Sequence, residues 1–385
     1  MSRHFIGKLI IIALALTVLV GGGSELYAHR HFKETIVKGP GVTRVAKLSD
    51  YFAPLKGTIN DTNVFILEGS KPGGTVLVLG GSHPNESSGI VAAVLLVENA
   101  KVDAGRLIVI PHINRSGSTG TQPSSGYPLY FHIKTDWGER TFQMGDRVTN
   151  PLDQWPDPDV YVHYPSGQLL SYVEIRNVNR TWPGRANGTL TEKTSYAAMR
   201  LIEQEKVDIV IDLHEAELLY PVTNCIVAPT KDITIATMAC INISSEFFDI
   251  HTEPSPQNYH GLTHREIADH SSAYPFLLEA SGPFLDQPTG PKTESLIIDG
   301  KDDFLLIAGK RGLLFTDYDE SGKPMKMRVG RHLTTIQALC SEWSGENPDR
   351  EIVIESPGYE DLMENDVGHY LLNPAAVDPE SVVLE

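Results

Sequence analysis

Apolar positions along this chain come in short, unbroken runs rather than in strict alternation. Thr75-Val-Leu-Val-Leu79, Leu107-Ile-Val-Ile-Pro111, Val207-Asp-Ile-Val-Ile-Asp-Leu213 and Pro275-Phe-Leu-Leu-Glu279 read as strands, the third buried on both faces. The stretch 88–100 between the first two reads as an apolar helix, which makes a strand-helix-strand unit of the kind that builds parallel sheets. Further helices are predicted over 192–205, 233–247, 293–308 and 331–343, and a short strand over 225–228. Residues 57–68 carry an Asn-Asp turn before a β-rich run and predict an opening hairpin or edge strand. Residues 29–56 are mixed in polarity and give no motif. The stretch 252–270 is polar, is broken by Pro254, Pro256 and Gly261, and reads as loop. Residues 116–169 are long and irregular, yet rich in Trp and Tyr, which argues for an ordered insertion beside a functional site. The expected fold class is α/β: a mixed, mostly parallel sheet with helices on both faces, plus a smaller C-terminal region over 311–385.

Residues 1–28 stand apart. Arg3 and Lys8 precede an apolar core, Leu9 to Val20, and three glycines follow. That pattern predicts a secretory signal with a cut after Ala28, or an N-terminal membrane anchor through residues 5–22. Either way the expected location is extracytoplasmic, with the main domain over 29–310. The formal net charge of -17, or -18 once Arg3, Lys8 and Glu25 are removed, argues against a nucleic-acid partner. The three cysteines form no zinc-like spacing and no disulfide scaffold.

Four polar motifs fall at strand ends or in adjoining turns. They are His83 with Glu86 after Gly80-Gly81, Asn179 with Arg180, His214 after the strand over 207–213, and Glu279 at the end of its own run. Parallel strands bring such positions to one edge of a sheet. Two histidines and a glutamate make a three-ligand zinc site with an open position for water. A separate carboxylate must then move the water's proton to a leaving amine, and Glu279 is the candidate. Arginines suit two jobs here, polarising the scissile carbonyl and gripping a substrate carboxylate.

Gly80-Gly-Ser-His-Pro-Asn-Glu86 resembles the Gly-Gly-x-His-x-Asn-Glu motif of the succinylglutamate desuccinylase/aspartoacylase family of zinc carboxypeptidase-like hydrolases. Asn177-Val-Asn-Arg-Thr-Trp-Pro-Gly184 is similar to its Asp-Leu-Asn-Arg-x-Phe-Pro-Gly segment, Asp212-Leu-His214 to its Asp-Leu-His motif, and Leu278-Glu279 to its catalytic glutamate strand. The resemblance covers residues 57–284 in order. It implies one zinc ion on His83, Glu86 and His214, with Glu279 as general acid/base. It assigns Asn179 and Arg180 to the substrate carboxylate and Arg176 to the carbonyl, with Arg115 as its rival. Asn177 stands where the family has aspartate, and the insertion is longer than small acyl-amino-acid enzymes need. The expected reaction is hydrolysis of an amide bond beside a free carboxylate, in a peptide, a cell-wall fragment or an N-acyl amino acid. The alternatives are a catalytically silent zinc-binding recognition module and a zinc deacetylase or esterase.

Overall fold

The computed structural model describes residues 3–122 and 126–385. It opens with helix α1, Arg3–Arg30, whose apolar surface is exposed and which is long and apolar enough to cross a membrane. The body is built on a nine-stranded sheet. In chain order its strands are β1 (Arg44–Lys47), β2 (Asn63–Glu68), β3 (Lys71–Leu79), β4 (Lys101–Ile110), β5 (Ile209–Ala216), β6 (Cys225–Ala228), β7 (His251–Pro254), β8 (Tyr274–Ser281) and β9 (Val353–Glu355). Across the sheet the order is β7-β6-β8-β5-β3-β4-β2-β1, with β9 also pairing to β4. The central four, β8-β5-β3-β4, run parallel; β6, β2 and β9 lie antiparallel to their central neighbours.

Both faces of the central strands are covered, which is why their sequences are continuously apolar. Val76 and Val78 of β3 join a core with helices α2 (Ser87–Asn99), α4 (Ile233–Glu246) and α6 (Met325–Glu346). Leu77 and Leu79 face the other way, onto helix α3 (Leu190–Gln204) and Ile267 of helix α5 (Thr263–His270). Thr189 caps α3 through the Glu192 amide, and Glu192 returns the bond to the Thr189 amide.

Three expectations change. Residues 252–270 are not all loop: β7 pairs in parallel with β6 at the sheet's edge, and α5 follows it. An edge strand tolerates polar residues and a terminal proline, and α5 shows only one or two apolar residues to a periodicity search. The stretch over 293–308 is two helices, Glu294–Ile298 and Asp303–Lys310. Gly300 breaks them at φ +62, and Thr293 and Asp302 each cap one. Residues 29–56, which offered no motif, supply β1 and the strand Thr35–Val37, which pairs with Val382–Leu384. The insertion holds two hairpins, Tyr130–Thr135 with Gly138–Gln143 and Tyr161–Val162 with Leu169–Leu170; its residues 123–125 lie outside the described ones.

Candidate metal centre and active site

The site begins where β3 stops. Gly80 has no room for a side chain, since a Cβ there would meet the Pro111 carbonyl oxygen at 2.7 Å, and Gly81 takes φ +67. The chain can therefore turn sharply and set His83 and Glu86 at the mouth of α2, where Glu86 occupies the N-cap position. Both are buried. Glu86 Oε1 lies 2.6 Å from His83 Nδ1, and Glu86 Oε2 lies 2.7 Å from His214 Nδ1. Three ligand atoms, one from each residue, fall within 4.8 Å of one another.

The far nitrogen of each imidazole is held. His83 Nε2 lies 2.9 Å from Asn177 Oδ1, and His214 Nε2 lies 2.9 Å from Asp212 Oδ2. Asp212 also accepts from Ser82 Oγ at 2.7 Å and Thr263 Oγ1 at 2.6 Å. His83 Nε2–H donates to Asn177, while the Asp212 carboxylate faces His214 Nε2 as a charge partner, so both Nδ1 lone pairs can face the Glu86 carboxylate and three acceptors converge on one point. A cation satisfies that arrangement, and two imidazoles with a carboxylate suit zinc. In the metal-free cluster, burial pushes His83 down to about 4. Burial also opposes the charged forms of Glu86 and His214. The two histidines nevertheless hold Glu86 well below its usual range, while Asp212 and Glu86 raise His214 well above its own.

Parallel pairing sets Glu279 directly beside His214 in register. Glu279 Oε2 is buried and has no hydrogen-bond partner in the protein. Burial, reinforced by Glu86 and Glu217 and opposed by His214 and Arg147, lifts this carboxyl well above its ordinary value.

A cavity of about 520 Å³ opens over these groups. His83, Glu86, His214 and Glu279 line it together with Asn179 and Arg180. Asn179 Oδ1 accepts from the Thr263 amide and hydroxyl, which leaves its NH₂ as the donor free for a ligand. Arg180 donates from Nε to the Tyr259 hydroxyl at 3.1 Å and stacks on that ring.

The other two arginines are elsewhere. Arg176 is buried, with Nε 3.0 Å from Asp157 Oδ1 and Nη1 donating to the Thr149 carbonyl. Arg115 is buried too, donating to Gln143 Oε1 and the Phe32 carbonyl. Neither lines the cavity. Arg147 does: it sits 3.9 Å from Glu86 Oε1 and is half-exposed. Nothing in the sequence singled it out, because it lies in the irregular insertion with no strand beside it. His264 and Tyr259 also line the cavity from the stretch read as loop. His264 is buried, and burial pushes its imidazole down to about 3. Asn177, where the resembling motif has aspartate, still orients His83 and accepts the Asn179 amide.

No family model matches the chain, and no curated protein matches it. Solved structures do. A succinylglutamate desuccinylase from a Silicibacter species aligns at 16% identity over 57% of this chain and 52% of that one, with a TM-score of 0.34. A metallo-carboxypeptidase from Burkholderia cenocepacia aligns at 12% identity over 84% of this chain and 69% of that one, with a TM-score of 0.46. A cell shape determinant protein from Helicobacter pylori aligns at 14% identity over 84% and 56%, with a TM-score of 0.42. The chain thus spans about half the length of the desuccinylase. Succinylglutamate desuccinylase/aspartoacylase proteins and metallo-carboxypeptidases are thus among the solved structures that align with the chain.

Proposed function

We propose that the protein is a zinc-dependent hydrolase that cleaves an amide bond beside a free carboxylate. The observation that carries this reading is the convergence of His83, Glu86 and His214 on one point of a cavity that Glu279 also lines. His83, Glu86 and His214 would hold the metal, with Asn177 and Asp212 facing the far nitrogens of the two rings. When bound, zinc supplies a water of lowered pKa and polarises a carbonyl oxygen.

The chain's own groups do the rest. Glu279 Oε2, buried and unpaired, would take a proton from the attacking water and deliver it to the leaving nitrogen as the C–N bond breaks. Arg180 and the Asn179 amide grip the substrate's carboxylate and so set which bond lies over Glu279. Arg147, 3.9 Å from Glu86 Oε1, stabilises negative charge developing on the carbonyl oxygen. The exposed apolar α1 supports an anchored or exported enzyme, acting on a peptide, a cell-wall fragment or an N-acyl amino acid outside the cytoplasm.

The test joins metal content to amine release from a panel of those three substrate classes. About one zinc per chain with release from one class is expected. Glu279→Gln should keep the zinc and lose roughly 100-fold or more in kcat. Full activity in Glu279→Gln removes Glu279 from the mechanism, and a chain that binds no zinc when it is supplied overturns the proposal.

A further inference from the structure

The insertion carries an outward apolar surface that the catalytic cavity does not use. Leu152 and Trp155 are 75% and 74% exposed, and Val160, Val162, Leu169 and Tyr172 are exposed as well. Val162 and Leu169 face each other across the small hairpin Tyr161–Val162 with Leu169–Leu170. The alternate residues Tyr161 and His163 turn inward, onto the Arg180 and Trp182 carbonyls. Residues 150–172 contain no lysine or arginine. Of their carboxylates, Asp153 and Asp157 are turned onto Arg30 and Arg176, which leaves Asp159 as the exposed one.

This surface adjoins the base of α1. Arg30 pairs with Asp153 at 2.6 Å, between Leu152 and Trp155. The helix end is built into the body: His29 is buried, its carbonyl accepts from Gln143 Nε2 at 2.6 Å, and the Phe32 carbonyl accepts from Arg115. Arg176 ties the loop over 149–157 together from both ends. A membrane-spanning stretch of about 20 residues from Phe5 ends near residue 24, and Arg30 lies roughly 9 Å further along the axis. That is the level of the polar headgroups, where tryptophan and short apolar side chains favour the bilayer surface.

We infer that residues 150–172 dock on the lipid surface beside α1, so that anchor and insertion together hold the body in one orientation on the bilayer. This inference rests on reading α1 as a membrane segment. Residues 150–172 supply no cation of their own, the neighbouring Arg30 is paired with Asp153, and the chain carries -17 overall, so an uncharged, zwitterionic lipid face fits this segment better than an anionic one. Because the hairpin's inner side touches the Arg180 backbone, docking presents the cavity wall at a fixed height above the membrane.

The experiment uses the full chain in phosphatidylcholine vesicles with brominated or unbrominated acyl chains. The difference between the native chain and Trp155→Phe isolates the emission of Trp155. That component should shift to the blue on vesicle binding and be strongly quenched by bromine. A vesicle-bound chain whose Trp155 component is unquenched overturns the docking and leaves the anchor standing. A chain that does not float with vesicles, or that begins at His29, overturns both. As a second readout, Leu152→Cys labelled with pyrene should give monomer emission only, since the three native cysteines are buried. Excimer emission would place a second copy on this surface instead and overturn the lipid assignment.

Discussion

Arginine shows most clearly what one residue type can do in two surroundings. Arg147 is half-exposed over the ligand cluster, whereas Arg176 and Arg115 are buried and fully engaged with protein groups. The motifs gave His83, Glu86, His214, Asn179, Arg180 and Glu279 because each stands at a strand end or in a turn joined to one, and the structure brings all six to one cavity. They could not separate the arginines, because strand adjacency says nothing about which way a long side chain runs. Nor could they reach Arg147, which tertiary folding of the insertion brings in. The two surroundings predict different failures. Arg147→Ala should cut kcat by about 100- to 1000-fold while leaving Tm near that of the parent. Arg176→Ala strands the buried Asp157 and should lose about 3–5 kcal/mol of stability, seen as a clear fall in Tm. A large loss of kcat in Arg176→Ala with Tm unchanged would reverse the assignment.

At the scale of elements, continuous apolar runs identified β5, β6, β8 and α2 to within a few residues, and the second halves of β3 and β4, because burial on both faces leaves an unmistakable pattern. Elements whose buried side chains are polar gave no such signal. β7 is polar edge strand, and α5 buries Thr263, His264 and Glu266, whose side chains are held by hydrogen bonds rather than by apolar contact. The same limit hid how α6 supports the site. Arg328 of α6 meets Glu215, the residue after His214, at 2.6 Å, with both side chains about 1% exposed. Glu215 Oε1 also accepts the Ser88 amide at the start of α2, and the Glu215 amide donates to Glu86 Oε2. One buried ion pair thus ties α6, β5 and α2 together directly behind the ligands. Arg328→Met should cost roughly 3–5 kcal/mol by leaving Glu215 charged and unpaired. Adding Glu215→Gln should recover most of that loss, since the amide oxygen can still accept from Ser88. Additive losses in the double variant, read by denaturant titration, would show that packing and not charge is what Arg328 supplies.

Across the whole molecule, the order of motifs along the chain was enough to gather these residues at one edge of an α/β sheet. It was not enough to show how the chain's two ends close the structure. Val382–Leu384 pairs with Thr35–Val37, and β9 returns to β4, through contacts between segments hundreds of residues apart. Local pattern carries no record of such pairings. The ligand cluster is the other long-range link, since it fastens the turn after β3 and the mouth of α2 to β5. Folding brings the three ligands together, so a metal that binds there binds the folded state far better than the unfolded one. Free zinc at 100 times its Kd should then add about 2.7 kcal/mol of stability. Chelation should lower Tm by several degrees, zinc should restore it, and His214→Ala should abolish the response. The response should also depend on pH with a definite sign. Asp212 and Glu86 raise His214 well above its usual value in the metal-free cluster, so a proton competes with the metal for Nδ1. Zinc-induced stabilisation must therefore shrink as pH falls below the His214 value and grow as pH rises through it. A thermal shift that zinc does not alter at any pH, or that survives His214→Ala, would place the metal elsewhere on the chain.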